Sequence, residues 1–153
     1  MLVTRRIQNS SFFPTLLRSG PGLDKPPLLL QASGMVASAQ EGTSVLIVDD
    51  DEEIRHVLKI LCETEGLTVV GEAANAVEAV PLALRNQPDF VILDYMLPRL
   101  DGEGAAEILR AITPGTKIVA FSAILEEQPA WADAFLNKER IVELMPLLRT
   151  FIR

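Results

Sequence analysis

Carboxylates, a hydroxyl and an ammonium stand where apolar runs of this chain end, and together they suit the handling of a phosphoryl group. Val45 to Val48 gives way to Asp49-Asp50, and Phe90 to Leu93 gives way to Asp94. Lys117 to Phe121 ends at Ser122, and Ala134 to Leu136 is followed by Asn137 and Lys138. Three carboxylates in one crevice repel one another unless a cation joins them. Mg²⁺ suits that position, being a hard ion that takes one or two carboxylates, keeps waters and accepts phosphate oxygens. An Asp carboxylate is a competent nucleophile toward phosphorus and yields an acyl phosphate. A metal and the Lys138 ammonium would offset charge on the transferring oxygens, and the Ser122 hydroxyl would donate to one of them.

Each residue also has an ordinary reading. Asp50 or Asp51 would cap the helix that follows, Asp51 more naturally. Asp94 taken alone fits a loop, Lys138 a solvated lysine and Ser122 a cap. The joint occurrence in this order favours the chemical reading.

Gathering residues spread over about ninety positions requires strand ends on one edge of a sheet, where open parallel sheets bind ligands. Short continuous apolar runs are the pattern of strands buried on both faces. They are expected at Val45 to Val48, Leu67 to Ala73, Phe90 to Leu93, Lys117 to Phe121 and Ala134 to Leu136. Ile54, Val57, Leu58, Leu61 and Cys62 recur at helical spacing, with Glu52 and Glu53 in the first turn and Gly66 past the end. Asn75 and Glu78 have capping-box spacing, and Pro81 should kink that helix or move its start. A third helix is expected over Glu103 to Ile112. A last one would bury Ile141, Leu144, Met145, Leu148 and Phe151 despite Pro146. This alternation implies an α/β, doubly wound parallel sheet with right-handed crossovers. His56 falls on an exposed helix face, and Trp131 reads as packing.

Hydrophobic residues make up 48% of the 153 and charged ones 23%, which fits a globular chain. Residues 44–153 carry ten basic and nineteen acidic side chains. That acidity argues against nucleic acid as a direct ligand. A single cysteine, Cys62, excludes a disulfide within the chain and suits a reducing, cytoplasmic compartment. No apolar stretch approaches a membrane span. Residues 1–43 have no sustained period and collect Gly20, Pro21, Gly22, Pro26, Pro27 and Gly34, so a flexible tail is expected there. Arg5-Arg6, Leu28 to Leu30 and Ala37 to Ala39 loosely mimic an export signal, but the apolar zone is short and Asp24 and Lys25 interrupt its approach. Met35 offers an alternative start.

Four motifs carry a family resemblance: Leu46 to Asp51, Leu93 to Gly102 (Leu-Asp-Tyr-Met-Leu-Pro-Arg-Leu-Asp-Gly), Phe121 to Ala123, and Ala134 to Lys138. From about Ser44 onward the chain resembles the receiver domain of two-component response regulators, a flavodoxin-like fold with five parallel strands. The resemblance implies that Asp94 is the phosphoacceptor and that Asp49 with Asp50 holds Mg²⁺. Asp50 would be the direct carboxylate ligand, joined by the Met96 carbonyl. Ser122 would be the switch hydroxyl, Ala123 its small neighbour, Lys138 the conjugate cation and Phe135 the switch aromatic.

Three departures accompany the likeness. The interval from Ser122 to Lys138 is short by roughly two helical turns, so the fourth of the family's five helices, broken by Pro129, should be stunted or missing. Glu139 stands where a proline often follows the lysine, and no output domain is expected. The resemblance implies a single-domain response regulator that takes a phosphoryl group from a histidine kinase or phosphotransfer protein and signals to an unidentified downstream protein. The alternative is a receiver-like interaction module whose output does not depend on phosphorylation. A Mg²⁺-dependent phosphohydrolase fits less well, because it needs a second carboxylate two residues after the nucleophile, where Met96 stands.

Overall fold

The computed structural model describes residues 42–152. The expectations for the N-terminal segment therefore lie outside the described residues. Five strands form one parallel sheet: β1 Ser44–Val48, β2 Thr68–Ala73, β3 Phe90–Leu93, β4 Lys117–Ser122 and β5 Ala134–Asn137, in spatial order β2-β1-β3-β4-β5. The order runs outward from β1 on one side and from β3 on the other. The winding thus reverses between β1 and β3, the place where doubly wound sheets open a crevice. This is the flavodoxin-like topology.

Alternate residues of each central strand feed opposite faces, because successive side chains point to opposite sides of a sheet. Val45 and Ile47 pack with Leu58, Cys62, Leu144 and Leu148 on one face, and Leu46 and Val48 pack with Ala79, Ala83, Ala105 and Leu109 on the other. All four residues of β3 are buried, which is why the run reads as continuously apolar.

Three crossovers are helices started by side-chain caps. Helix α1 is Glu52–Thr64, with the Asp51 carboxylate accepting the Glu53 and Ile54 N–H groups. Leu58 and Cys62 are buried, but Val57 is 47% exposed, so the apolar stripe is narrower than its spacing suggested. Gly66 closes the turn with φ 90°, the left-handed conformation that glycine adopts at least cost. Helix α2 is Ala76–Asn86, capped when Asn75 Oδ1 accepts the Glu78 N–H. Glu78 returns its carboxylate to the Ala74 N–H, one residue before the cap. The helix starts at Ala76 and continues through an exposed Pro81, so the proline does not move its start. Helix α3 is Gly102–Ile112, capped by Asp101.

Of the helix expected to be stunted or missing between β4 and β5, the described residues show none. Ile124 to Asp133 instead form a strap fastened by polar contacts. Asp133 Oδ2 accepts the Ile118 N–H at 2.8 Å and the Arg110 guanidinium at 2.9 Å. Arg110 also donates to the Trp131 carbonyl at 3.1 Å, and the Trp131 ring lies over Tyr95 with centroids 6.3 Å apart and planes 15° from parallel. Trp131 thus serves in packing, as its sequence context suggested.

The single helix expected after β5 is two pieces. Lys138–Glu143 is a 3₁₀ helix with non-helical angles at Arg140, and α4 is Leu144–Arg149. The division places Pro146 in the first turn of α4, where a missing N–H costs no intrahelical bond. No helix among the described residues is long and apolar enough to cross a membrane.

Candidate functional site

The register of the sheet builds the site. Val48 is level with Leu93 across the β1–β3 pair, so Asp49 and Asp94 emerge side by side at the winding reversal. Their backbones are anchored: Asp49 N–H donates to the Ala73 carbonyl and Asp94 N–H to the Val48 carbonyl, both at 3.0 Å. Both carboxylates are buried, at 1% and 3% exposure, while Asp50 is exposed. Each buried carboxylate ties one oxygen to the chain just ahead. Asp49 Oδ1 accepts the Asp51 N–H at 2.9 Å and Asp94 Oδ1 accepts the Met96 N–H at 3.2 Å. The other oxygens face Lys138, whose Nζ lies 2.7 Å from Asp49 Oδ2 and 3.2 Å from Asp94 Oδ2. Lys138 is half-buried and not the solvated lysine of the ordinary reading.

The loop after Asp94 is held by a close backbone approach. A Cβ on Gly102 would sit 2.6 Å from the Asp94 carbonyl oxygen and 2.7 Å from Tyr95 Cα. Only glycine lets α3 start there, and its N–H closes the loop on the Tyr95 carbonyl at 2.8 Å. On the opposite side, Arg55 of α1 donates to the Asp49 carbonyl at 2.7 Å.

The electrostatics follow from this packing. Burial, and then the neighbouring Asp49 carboxylate, push the Asp94 carboxyl above the usual carboxylate range; Lys138 and the Met96 N–H offset this only in part. For Lys138, burial opposes the charged form, but its pairing with Asp49 and Asp94 outweighs that and holds the ammonium above its ordinary value. Asp94 and Lys138 open onto a cleft of about 430 Å³, whose rim includes Asp50, Met96, Ala123 and Ile124.

The donor set fits a hard divalent cation. Asp49, Asp50 and Asp94 each offer an oxygen within 4.8 Å of the others. Asp49 Oδ2 is buried and, apart from the Lys138 ammonium, meets no donor. Carboxylate oxygens suit Mg²⁺ rather than softer metals.

The structure brings together Asp49, Asp50, Asp94 and Lys138, with Met96 at the rim. Ser122 is fully buried, and its oxygen accepts the Ile124 and Leu125 N–H groups at 3.1 and 3.4 Å. It makes no hydrogen bond to the carboxylates, but a hydroxyl that accepts still has its proton to give. Phe135 is half-buried on β5, level with Ala120. Sequence reasoning missed Arg55 and the Tyr95–Trp131 stack. Neither has a periodic or motif signal that would have found it.

A parallel sheet wound in this order, with acidic residues at its reversal and a lysine just past the last strand, defines a receiver fold. The family model of the response regulator receiver domain matches residues 45–139, and the chain belongs to that family. It is 35% identical over 114 residues to the chemotaxis protein CheY of Thermotoga maritima, a match covering 68% of this chain and 95% of that protein. It is 38% identical over 118 residues to the transcriptional regulatory protein PdtaR of Mycobacterium tuberculosis, covering 73% of this chain and 58% of PdtaR. A putative transcriptional regulator of Pseudomonas aeruginosa matches at 39% over 80 residues, 52% of this chain and 39% of that protein. The chain therefore spans 39% and 58% of the length of these two regulators. Among solved structures, the response regulator domain of Thermotoga maritima CheB superposes with a TM-score of 0.65 at 28% identity, covering 71% of this chain and 94% of that one. The CheX-CheY complex of Borrelia burgdorferi with BeF3 and Mg gives 0.64 at 26%, covering 72% and 90%.

Proposed function

We propose that this receiver domain, assigned to residues 44–153, accepts a phosphoryl group on Asp94 from a histidine kinase or phosphotransfer protein. It signals by a change in affinity for a downstream protein. The observation that carries this reading is the state of the Asp94 carboxylate. One oxygen is fixed by the Met96 N–H, and the other faces an ammonium at the floor of an open cleft.

In the transfer, an Asp94 oxygen attacks phosphorus while the bond from phosphorus to the donor's imidazole nitrogen breaks, and the departing nitrogen keeps the electron pair. The Asp94 carboxylate must be ionised to attack, and Lys138 favours that form. As charge shifts onto the phosphoryl oxygens, Lys138 is close enough to Asp94 to pair with one of them. Ser122, rotated away from its own backbone contacts, would donate to another. Asp49 and Asp50, with the Met96 carbonyl, would hold Mg²⁺, which when bound neutralises charge on the transferring group. Ala123 leaves room at the cleft, and Phe135 beside β4 would turn inward as Ser122 moves, which changes the surface offered to a partner.

Intact mass after incubation with acetyl phosphate or phosphoramidate tests this reading. A single phosphoryl adduct is expected that needs Mg²⁺ and disappears in Asp94→Asn. No adduct on folded protein, and none from a panel of histidine kinases, would replace the proposal with the phosphorylation-independent module.

A further inference from the structure

Helix α2 presents an apolar stripe to solvent, although it already buries Ala76, Ala79 and Ala83 against the sheet. Val77 is 70% exposed and Leu84 56% exposed, with an exposed Pro81 and a half-buried Val80 between them. At 3.6 residues per turn these four positions line one side of the helix. Glu78 and Arg85 project along the same flank of that stripe, one at each end. This is a self-complementary pattern. If the helix meets a second copy of itself antiparallel across a two-fold axis, Val77 faces the partner copy's Leu84 and Val80 faces its Pro81. Glu78 then falls within about 3 Å, measured along the axis at 1.5 Å per residue, of the level of the other Arg85. The same operation repeats every contact.

We infer that the outer face of α2 is a homodimer surface, on which two copies of this chain pack antiparallel through Val77, Pro81 and Leu84 and fix their register by paired Glu78 and Arg85 contacts. An isologous contact of this kind needs one self-complementary patch and closes after two copies. The apolar stripe supplies the attraction. The charged flank supplies orientation rather than strength, as exposed ion pairs do. One 11-residue helix per copy makes a small interface, so the dimer is weak and concentration-dependent. The net charge of −7 also opposes close approach of two copies.

Sedimentation equilibrium of the full chain over a concentration series tests the surface. The wild-type protein is expected to show reversible monomer–dimer exchange. Arg85→Glu sets two carboxylates opposite each other at both ends, and Glu78→Arg does the same with cations. Each alone should weaken the dimer by about tenfold. Mixed in equal amounts they should form a heterodimer of wild-type strength, because every pair is again opposite in sign. Since Glu78→Arg also removes a bond to the Ala74 N–H, a second pair is used beside it. Val77→Lys and Leu84→Glu alter only exposed positions, should each weaken self-association, and should recover it when mixed. A wild-type chain that stays monomeric at every concentration overturns the inference. So does a dimer indifferent to Leu84→Glu, or a mixture no tighter than its components; any of these would leave the stripe to an unlike partner.

Discussion

The molecule solves the same connection problem in two ways. From β1 to β4, each step between parallel strands is a helix whose first turn is capped by Asp51, Asn75 or Asp101. From β4 to β5 the step is a strap without a helix, yet β5 keeps parallel register with β4 from Val119↔Ala134 to Ser122↔Asn137. Sheet register and strand-end chemistry therefore do not require the helix. What the strap must do is shield one face of β4 and hold the end of β3 in place. It does this with one carboxylate, one guanidinium and one aromatic stack in place of a buried apolar stripe. A helix spreads its anchorage over many weak contacts, whereas the strap concentrates it in Asp133, Arg110 and Trp131.

The sharpest way to break this comparison is Asp133→Ala. It leaves the Ile118 N–H in a buried strand without an acceptor and takes the carboxylate from the half-buried Arg110 guanidinium, which keeps only the Trp131 carbonyl. Urea unfolding should show a loss of about 2–3 kcal/mol, the range for orphaning one buried donor and losing one charge-assisted hydrogen bond. Asp51→Ala, which removes the cap of α1, should lose about 1 kcal/mol. Equal losses would mean that the strap is no more concentrated than a helix end.

A smaller effect of opposite sign is expected at the site common to both regions. Asp94 is held with a raised carboxyl pKa by burial and by Asp49. In the linkage relation a raised folded-state pKa contributes stability below the unfolded value, near 3.9, that is lost as pH rises through the folded value. Metal-free Asp94→Asn should therefore be more stable than wild type at neutral pH, seen as a higher Tm. The gap should close as pH falls toward 4. A wild-type protein that melts above Asp94→Asn at pH 7 without metal would contradict the electrostatic reading of the site.

The same contrast explains what the sequence made legible. Continuous apolar runs located β1, β3 and β4, because a strand buried on both faces has no polar alternation to obscure it. Asp51 and Asn75 read as caps, because capping is chemistry between near neighbours. The approach of Asp49, Asp94 and Lys138 was legible only through the topology, which the alternation of strands and helices implied. What escaped is local and aperiodic. The Ser122 oxygen is occupied by the two N–H groups just ahead of it, and no spacing announces that. Val57 has perfect helical spacing yet stands half exposed, since periodicity marks a face and not what covers it. From spacing alone Pro146 falls inside one long helix. It is instead in the first turn of a short one, a distinction set by the backbone at Arg140.

Two native reporters sharpen the comparison further with the smallest perturbation. Trp131 is the only tryptophan and belongs to the strap. Cys62 is the only cysteine and is fully buried on the inner face of α1. Its thiol is pushed up to about 12 by burial, with a further contribution from Glu63, so it cannot react until α1 lifts from the sheet. Replacing Trp131 by Leu should lose only about 1 kcal/mol, since it removes a half-exposed stack and keeps apolar bulk. The order of release is more telling. With rising urea, Trp131 fluorescence should change at a lower concentration than that at which Cys62 labelling by a thiol reagent accelerates, because a few polar fastenings open locally while α1 is held by the whole of one core face. Coincident transitions would show that strap and helix unfold as one unit, and that the chain ties its irregular crossover to the core as firmly as its regular ones.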